Sequence, residues 1–160
     1  MRNFIPVLIT LIVAMCLSLL PMPEWTGWAR PAWVLMVLTY WAMVMPDQVN
    51  VGVAWLAGLF LDVLTGTMIG EHALALTVAI YFVYRFHRRI HMYPMPQQVF
   101  SVLIFVLIYQ SILYGVQGAV GKLPQSQLYW LSSLTTVLLW PWMSVLMRDY
   151  CRWMRVDLAK

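Results

Sequence analysis

Residues 50–70 read NVGVAWLAGLFLDVLTGTMIG. From Val51 to Leu64 this stretch carries one charge, Asp62, in an otherwise apolar run. Read as a helix rising 1.5 Å per residue, it places Asp62 roughly 18 Å beyond Asn50. An ionisable group that deep in an apolar span is costly and marks a candidate functional site. Asp62 also belongs to a pattern. Ala54, Gly58, Asp62 and Gly66 recur every four residues and share one helix face. Such a stripe of small residues lets a second helix approach closely. Two readings of Asp62 stand side by side. In one it faces a cavity, a partner helix or a ligand. In the other it is a structural acid, bonding backbone or hydroxyl groups where the helix breaks near Thr65-Gly66-Thr67. The span offers no second buried charge with which to build a proton relay.

The rest of the chain continues this apolar character. Of 160 residues, 62% are apolar or aromatic and 10% are charged, against about a quarter charged in a soluble domain. The mean hydropathy is +0.77. So few charges cannot cover a surface in water, and lipid is the solvent that fits. One helical span takes about 20 apolar residues, so the length accommodates six spans in a single domain covering residues 1–160. Hydropathy and punctuation place them at 4–20, 31–45, 50–64, 72–84, 99–120 and 128–147. The expected fold is therefore an all-α polytopic bundle of six transmembrane helices. The first run follows Met1-Arg2-Asn3 and meets Pro21-Met22-Pro23-Glu24 rather than a small-residue cleavage site, so it reads as a retained span. Pro31 suits the first turn of the second helix. That helix is short, which suggests an upright span or a thinned bilayer.

Charge sets the expected orientation. The formal net charge is +4, with 10 Lys and Arg in all. Six spans and a cytoplasmic N-terminus put Arg2, Arg85, Arg88, Arg89, Arg148, Arg152, Arg155 and Lys160 inside, and only Arg30 and Lys122 outside. This eight-to-two split satisfies the positive-inside rule with both termini cytoplasmic. Orientation in a membrane accounts for the basic balance without nucleic acid.

The remaining polar groups carry weaker signals. Arg30, at the outer edge of the second helix, can pair with Asp62 or Glu71, bind lipid phosphate, or anchor in the headgroups; the anchor is the simplest reading. Gln110, Tyr114 and Gln117 lie along one face of the fifth span. They suit packing between helices, as do Ser132, Ser133, Thr135 and Thr136 in the sixth. His87 and His91 have a metal-compatible spacing. The arginines beside them oppose a cation, and a basic loop meeting anionic lipid fits better. Pro141, within Trp140-Pro141-Trp142, should bend the sixth helix by removing the bond to Val137. Its tryptophans suit an interfacial belt. Cys16 and Cys151 are too few and too far apart in sequence for a disulfide framework or metal quartet. Phosphate-binding loops, nucleophile elbows and H-E-x-x-H are absent, so no enzymatic activity, metal or cofactor is expected.

Several stretches together resemble the rod shape-determining MreD family. They are Arg30-Pro31-Ala32-Trp33-Val34-Leu35 with Tyr40-Trp41, Asn50-Val51-Gly52, Gly58-Leu59-Phe60-Leu61-Asp62, Gly66-Thr67-Met68-Ile69-Gly70, Leu139-Trp140-Pro141-Trp142 and Leu146-Met147-Arg148. The resemblance implies a non-enzymatic membrane subunit of the bacterial elongation complex. Its fold would be similar to the S-components of energy-coupling-factor transporters. Its partner would be the bitopic protein MreC, which connects it to MreB, RodA and a class B penicillin-binding transpeptidase. The Ala54–Gly58–Asp62 stripe, with Gly66 and Arg30, is the candidate surface for a partner or a cavity. The alternative is a subunit of an energy-coupling-factor type transporter that binds a small molecule or lipid.

Overall fold

A computed structural model describes residues 4–20, 30–92, 94–121 and 127–154. Among these residues the chain is all helical, with six α-helices and a short 3-10 turn. They are α1 (Phe4–Leu19), α2 (Trp33–Val44), α3 (Val51–Thr65), α4 (Glu71–His91), α5 (Met95–Ala119) and α6 (Leu131–Trp153), the last preceded by the 3-10 turn Gln127–Trp130.

The expected spans and the observed helices agree in number and order, and differ at their ends for local reasons. α4 runs past the expected span 72–84 through Arg85, Arg88 and Arg89, and α6 runs past 147 through Arg148 and Arg152. Arginine is a good helix former, so charge marks where a helix leaves the apolar layer, not where it ends. α5 begins at Met95 because Pro94 takes the N-cap position and Pro96 lies in the first turn, where a missing N–H is harmless. α2 starts at Trp33, with Ala32 as its N-cap and Pro31 outside it.

The short α2 has a different explanation from the one its length suggested. Val34 through Met43 are all buried, and α2 packs against α1, α4 and α6. A helix that is apolar all round belongs in the interior. α2 is the bundle's core, and Trp41, Leu35, Met36 and Leu38 are among its largest fully buried side chains. The Trp41 indole donates to Thr10 Oγ1 at 2.8 Å, tying α2 to α1.

The outside of the bundle is apolar. Ile5, Leu8 and Ile12 on α1, Phe60 and Val63 on α3, Phe100 and Ile104 on α5, and Leu138 and Val145 on α6 are all exposed. Soluble monomers rarely present so much contiguous apolar surface. Among the described residues one helix, α5, is by length and composition able to cross a membrane unaided. α1, α2 and α3 are apolar but have 16, 12 and 15 residues, about 24, 18 and 22 Å at 1.5 Å each.

α3 and α4 form the closest pair. Asn50 caps α3, its Oδ1 accepting from Gly52 N at 3.0 Å and Val53 N at 3.3 Å. The small-residue stripe then meets α4. A Cβ added at Gly58 would lie 2.3 Å from Ala73 Cα and 2.6 Å from Ala73 N. The close approach expected of this stripe is thus made by the chain's own next helix. Gly58→Ala should force backbone apart and cost about 1–3 kcal/mol. Gly115→Ala on α5, where an added Cβ meets nothing within 4 Å, should be neutral or slightly stabilising. Thermal unfolding of the two variants in detergent checks the contrast.

Candidate functional site

Two polar features meet at one end of the bundle, where α1, α3 and α5 end and α2, α4 and α6 begin. The first is Asp62. α3 closes on Gly66, whose left-handed backbone (φ 66°, ψ 24°) sends its N–H back to Asp62 O, and Thr67 N joins at 3.1 Å. α4 starts at Gly70, which sits at φ 104°, a conformation open to glycine at little cost. A glycine N-cap has no side chain to serve the first orphan N–H groups of its helix. Asp62 supplies that service from the preceding helix.

The Asp62 carboxylate is fully buried and fully engaged. Oδ2 accepts from Gly70 N at 2.8 Å and Ala73 N at 3.4 Å. Oδ1 accepts from His72 N at 2.8 Å, His72 Nδ1 at 2.8 Å and Thr67 Oγ1 at 3.2 Å. Five donors fill the lone-pair sites of a carboxylate, and the positive end of the α4 dipole stabilises its charge. Acceptance from Nδ1 fixes the His72 tautomer. The ring of His72 lies 6.4 Å from that of Tyr109 on α5.

This geometry selects between the readings of Asp62. It is the structural acid at the helix break, and it has no capacity left for a ligand. Ala54, Gly58 and Asp62 are buried, whereas Gly66 is exposed in the turn. The first three residues therefore offer no free surface to a partner helix. His72 was not singled out in the sequence. The signal that could have found it is the second, more distant glycine of Asp62-x3-Gly66-x3-Gly70, which places the next helix start against the carboxylate.

The second feature is a cavity of about 250 Å³ lined by Arg30, Trp33, His72, Gln110, Gln117 and Ser132, among others. Arg30 reaches neither Asp62 nor Glu71. Its guanidinium donates to Ser18 O at 3.2 Å and Leu20 O at 3.0 Å, at the C-terminal end of α1. α6 holds the Arg30–Ala32 segment: Ser132 Oγ donates to Arg30 O at 2.5 Å, and Ala32 N donates to Thr136 Oγ1 at 3.1 Å. Arg30 thus braces the end of α1 from the start of α2.

The Gln110–Tyr114–Gln117 face divides. Gln117 donates to Glu71 Oε1 at 2.6 Å, a bond between α5 and α4. Gln110 is buried, with its Oε1 unpartnered. Tyr114 is exposed and packs beside the rings of Tyr129 and Trp130. Pro141 lies within a continuous α6, and its carbonyl accepts from Ser144 Oγ at 2.8 Å. Trp142 is exposed, but Trp140 belongs to the core rather than to an interfacial belt. His87 Nδ1 is bonded to Tyr84 O. Both cysteines are free, Cys151 lying 3.9 Å from the Tyr40 hydroxyl.

The chain matches the family described as rod shape-determining protein MreD over residues 1–150. It is also 31% identical over 144 residues to the rod shape-determining protein MreD of Haemophilus influenzae, covering 88% of this chain and 87% of that protein. The chain belongs to the MreD family. MreD is a family of membrane proteins, in keeping with the apolar exterior of the bundle. No solved structure matches the chain.

Within this MreD-family chain the Asp62 node is a stability element. Asp62→Ala strips the cap from α4 and leaves several N–H groups buried without acceptors, a loss of roughly 3 kcal/mol or more. Membrane levels should fall sharply in that variant. Asp47→Ala and Glu24→Ala should stay near wild type. Quantitative immunoblotting of isolated membranes compares the three, and equal levels would remove the capping role.

Proposed function

We propose that this chain is a non-enzymatic inner-membrane subunit of the bacterial elongation complex. In this reading it supports rod shape and lateral peptidoglycan synthesis by binding MreC within the membrane. MreB, RodA and a class B penicillin-binding transpeptidase are then reached indirectly. The observation that carries the reading is the family match along residues 1–150. A supporting one is the apolar exterior, which leaves contact within the membrane as the available means of action.

The helices cross the bilayer six times with both termini in the cytoplasm. The basic residues support this arrangement. Arg85, Arg88 and Arg89 near the end of α4, and Arg148 and Arg152 near the end of α6, are exposed. They lie at the end of the bundle opposite the polar cavity. The short α2 is accommodated by burial within the bundle, and α1 and α3 by local thinning of the bilayer.

Because α4 occupies the Ala54–Gly58–Asp62 stripe, the partner's membrane helix must use another face. An apolar groove floored by Trp33 and Val37 of α2 runs between α1 and α6, with Val13, Leu17, Met143 and Leu146 on its walls. A second apolar groove lies between α4 and α5, lined by Phe82, Phe86, Ile104 and Ile108.

The second reading is a transporter subunit of the energy-coupling-factor type that binds a small molecule or lipid. The polar cavity beside Arg30 favours it. The two readings part on co-purification from native membranes. An elongation subunit should bring down MreC, and a transporter subunit an ATPase module. Depletion should turn rods round; rods of normal width after depletion would overturn the first reading. For the topology, a cysteine at Gln125, with Cys16 and Cys151 replaced by Ala, should react with an impermeant maleimide in intact spheroplasts. Reaction only after lysis would reverse the orientation.

A further inference from the structure

The cavity beside Arg30 contains polar groups that the protein itself leaves unsatisfied. Five buried side-chain atoms among the described residues have no hydrogen-bond partner. Three of them, Arg30 Nε, Trp33 Nε1 and Gln110 Oε1, belong to residues that line this one cavity. Gln110 is 3% exposed. An unmade hydrogen bond on a buried group costs about 1–3 kcal/mol, and natural interiors hold few such groups. Three of the five thus cluster on residues around one cavity.

The chemistry of a molecule that satisfies them follows from the atoms it must meet. Arg30 Nε and Trp33 Nε1 are donors and require acceptors. Arg30 is cationic, and no described carboxylate lies within salt-bridge distance of it. The other two guanidinium nitrogens bond neutral carbonyls, so no group among the described residues matches the charge. The nearby described acids are engaged elsewhere. Asp62 is consumed by α4, and Glu71 is bonded to Gln117 and lines a neighbouring cavity. Gln110 Oε1 is an acceptor and requires a donor. The donors and acceptor come from the α2 entry segment and from α5, two different walls. A tetrahedral oxyanion with oxygens on several sides suits such a site.

From these contacts we infer that the cavity binds a phosphate ester bearing a hydroxyl group. The phosphate accepts from Arg30 and Trp33, and the hydroxyl donates to Gln110. A glycerophosphate headgroup and a soluble sugar or glycerol phosphate share this chemistry. The inference does not depend on which of the two functional readings above is correct. It concerns occupancy of the cavity, not the partner.

The test uses the full chain in nanodiscs of phosphatidylcholine. One arm replaces a quarter of the lipid with phosphatidylglycerol; the other adds sn-glycerol 3-phosphate at millimolar concentration. Binding in either arm should raise the thermal midpoint above that in phosphatidylcholine alone. Native mass spectrometry should show the corresponding adduct at one per chain. A shift in the first arm only identifies a lipid headgroup, and a shift in the second a soluble ester. Gln110→Met removes the acceptor with little change of shape, and it should fold at least as well as wild type without the probe, because an orphaned group is gone. Trp33→Phe removes the indole N–H together with one ring, so its shift is read against its own midpoint without the probe. Both should lose at least half of the shift. No shift in either arm for the wild type overturns the proposal, and so does a full shift retained by both variants. In those cases ordered water satisfies the three atoms.

Discussion

The structure turns on one carboxylate that caps a helix other than its own. Asp62 sits at the end of α3 and serves the first N–H groups of α4. In an apolar surround, the open end of a helix has no water to satisfy it. A charge buried there would be costly if left alone. Each problem solves the other. The five-residue connection between the helices follows from this pairing. Gly66 and Gly70 take left-handed backbone angles so that the chain can turn back onto the carboxylate, and Gly58 lets the two helices lie close enough for the bond to form.

The polar cavity inherits its shape from that arrangement. With α4 pinned to α3, His72 and Gln117 face inward from α4 and α5, and Glu71 is held by Gln117. The opposite wall is set independently. Ser132 and Thr136 hold the backbone on either side of Pro31, and Arg30 braces α1. The cavity is thus bounded by contacts that each satisfy a polar group near a helix end. Three of the groups left over, on Arg30, Trp33 and Gln110, belong to residues that line the space between. A membrane protein has few other means of keeping polar surface in its interior.

This organisation also changes where a partner can act. A small-residue stripe in a membrane helix is a contact surface, but it does not say whose surface it meets. Here the neighbour in sequence takes it, so the proposed partner helix is left with the apolar grooves on other faces of the bundle. The family match fixes a role in rod shape for the class of protein. The grooves give that role a physical location to examine.

The sequence by itself determined the helical class, the number of helices and the family. Hydropathy and punctuation are local properties, and six apolar runs separated by Pro, Gly and charge leave little choice. It also singled out Asp62, because a lone charge in an apolar run stands out without any knowledge of its neighbours. What it could not determine was the partner of each feature. The match of Asp62 with the start of α4, the burial of α2 on all sides, the bracing of α1 by Arg30 and the convergence of Trp33 and Gln110 on one cavity join residues from separate helices. Only packing brings them together. α4 and α6 run past the expected spans for a related reason: arginine signals departure from lipid, while backbone hydrogen bonding continues wherever nothing interrupts it. Periodicity reveals that a face exists, and the tertiary structure decides what that face meets.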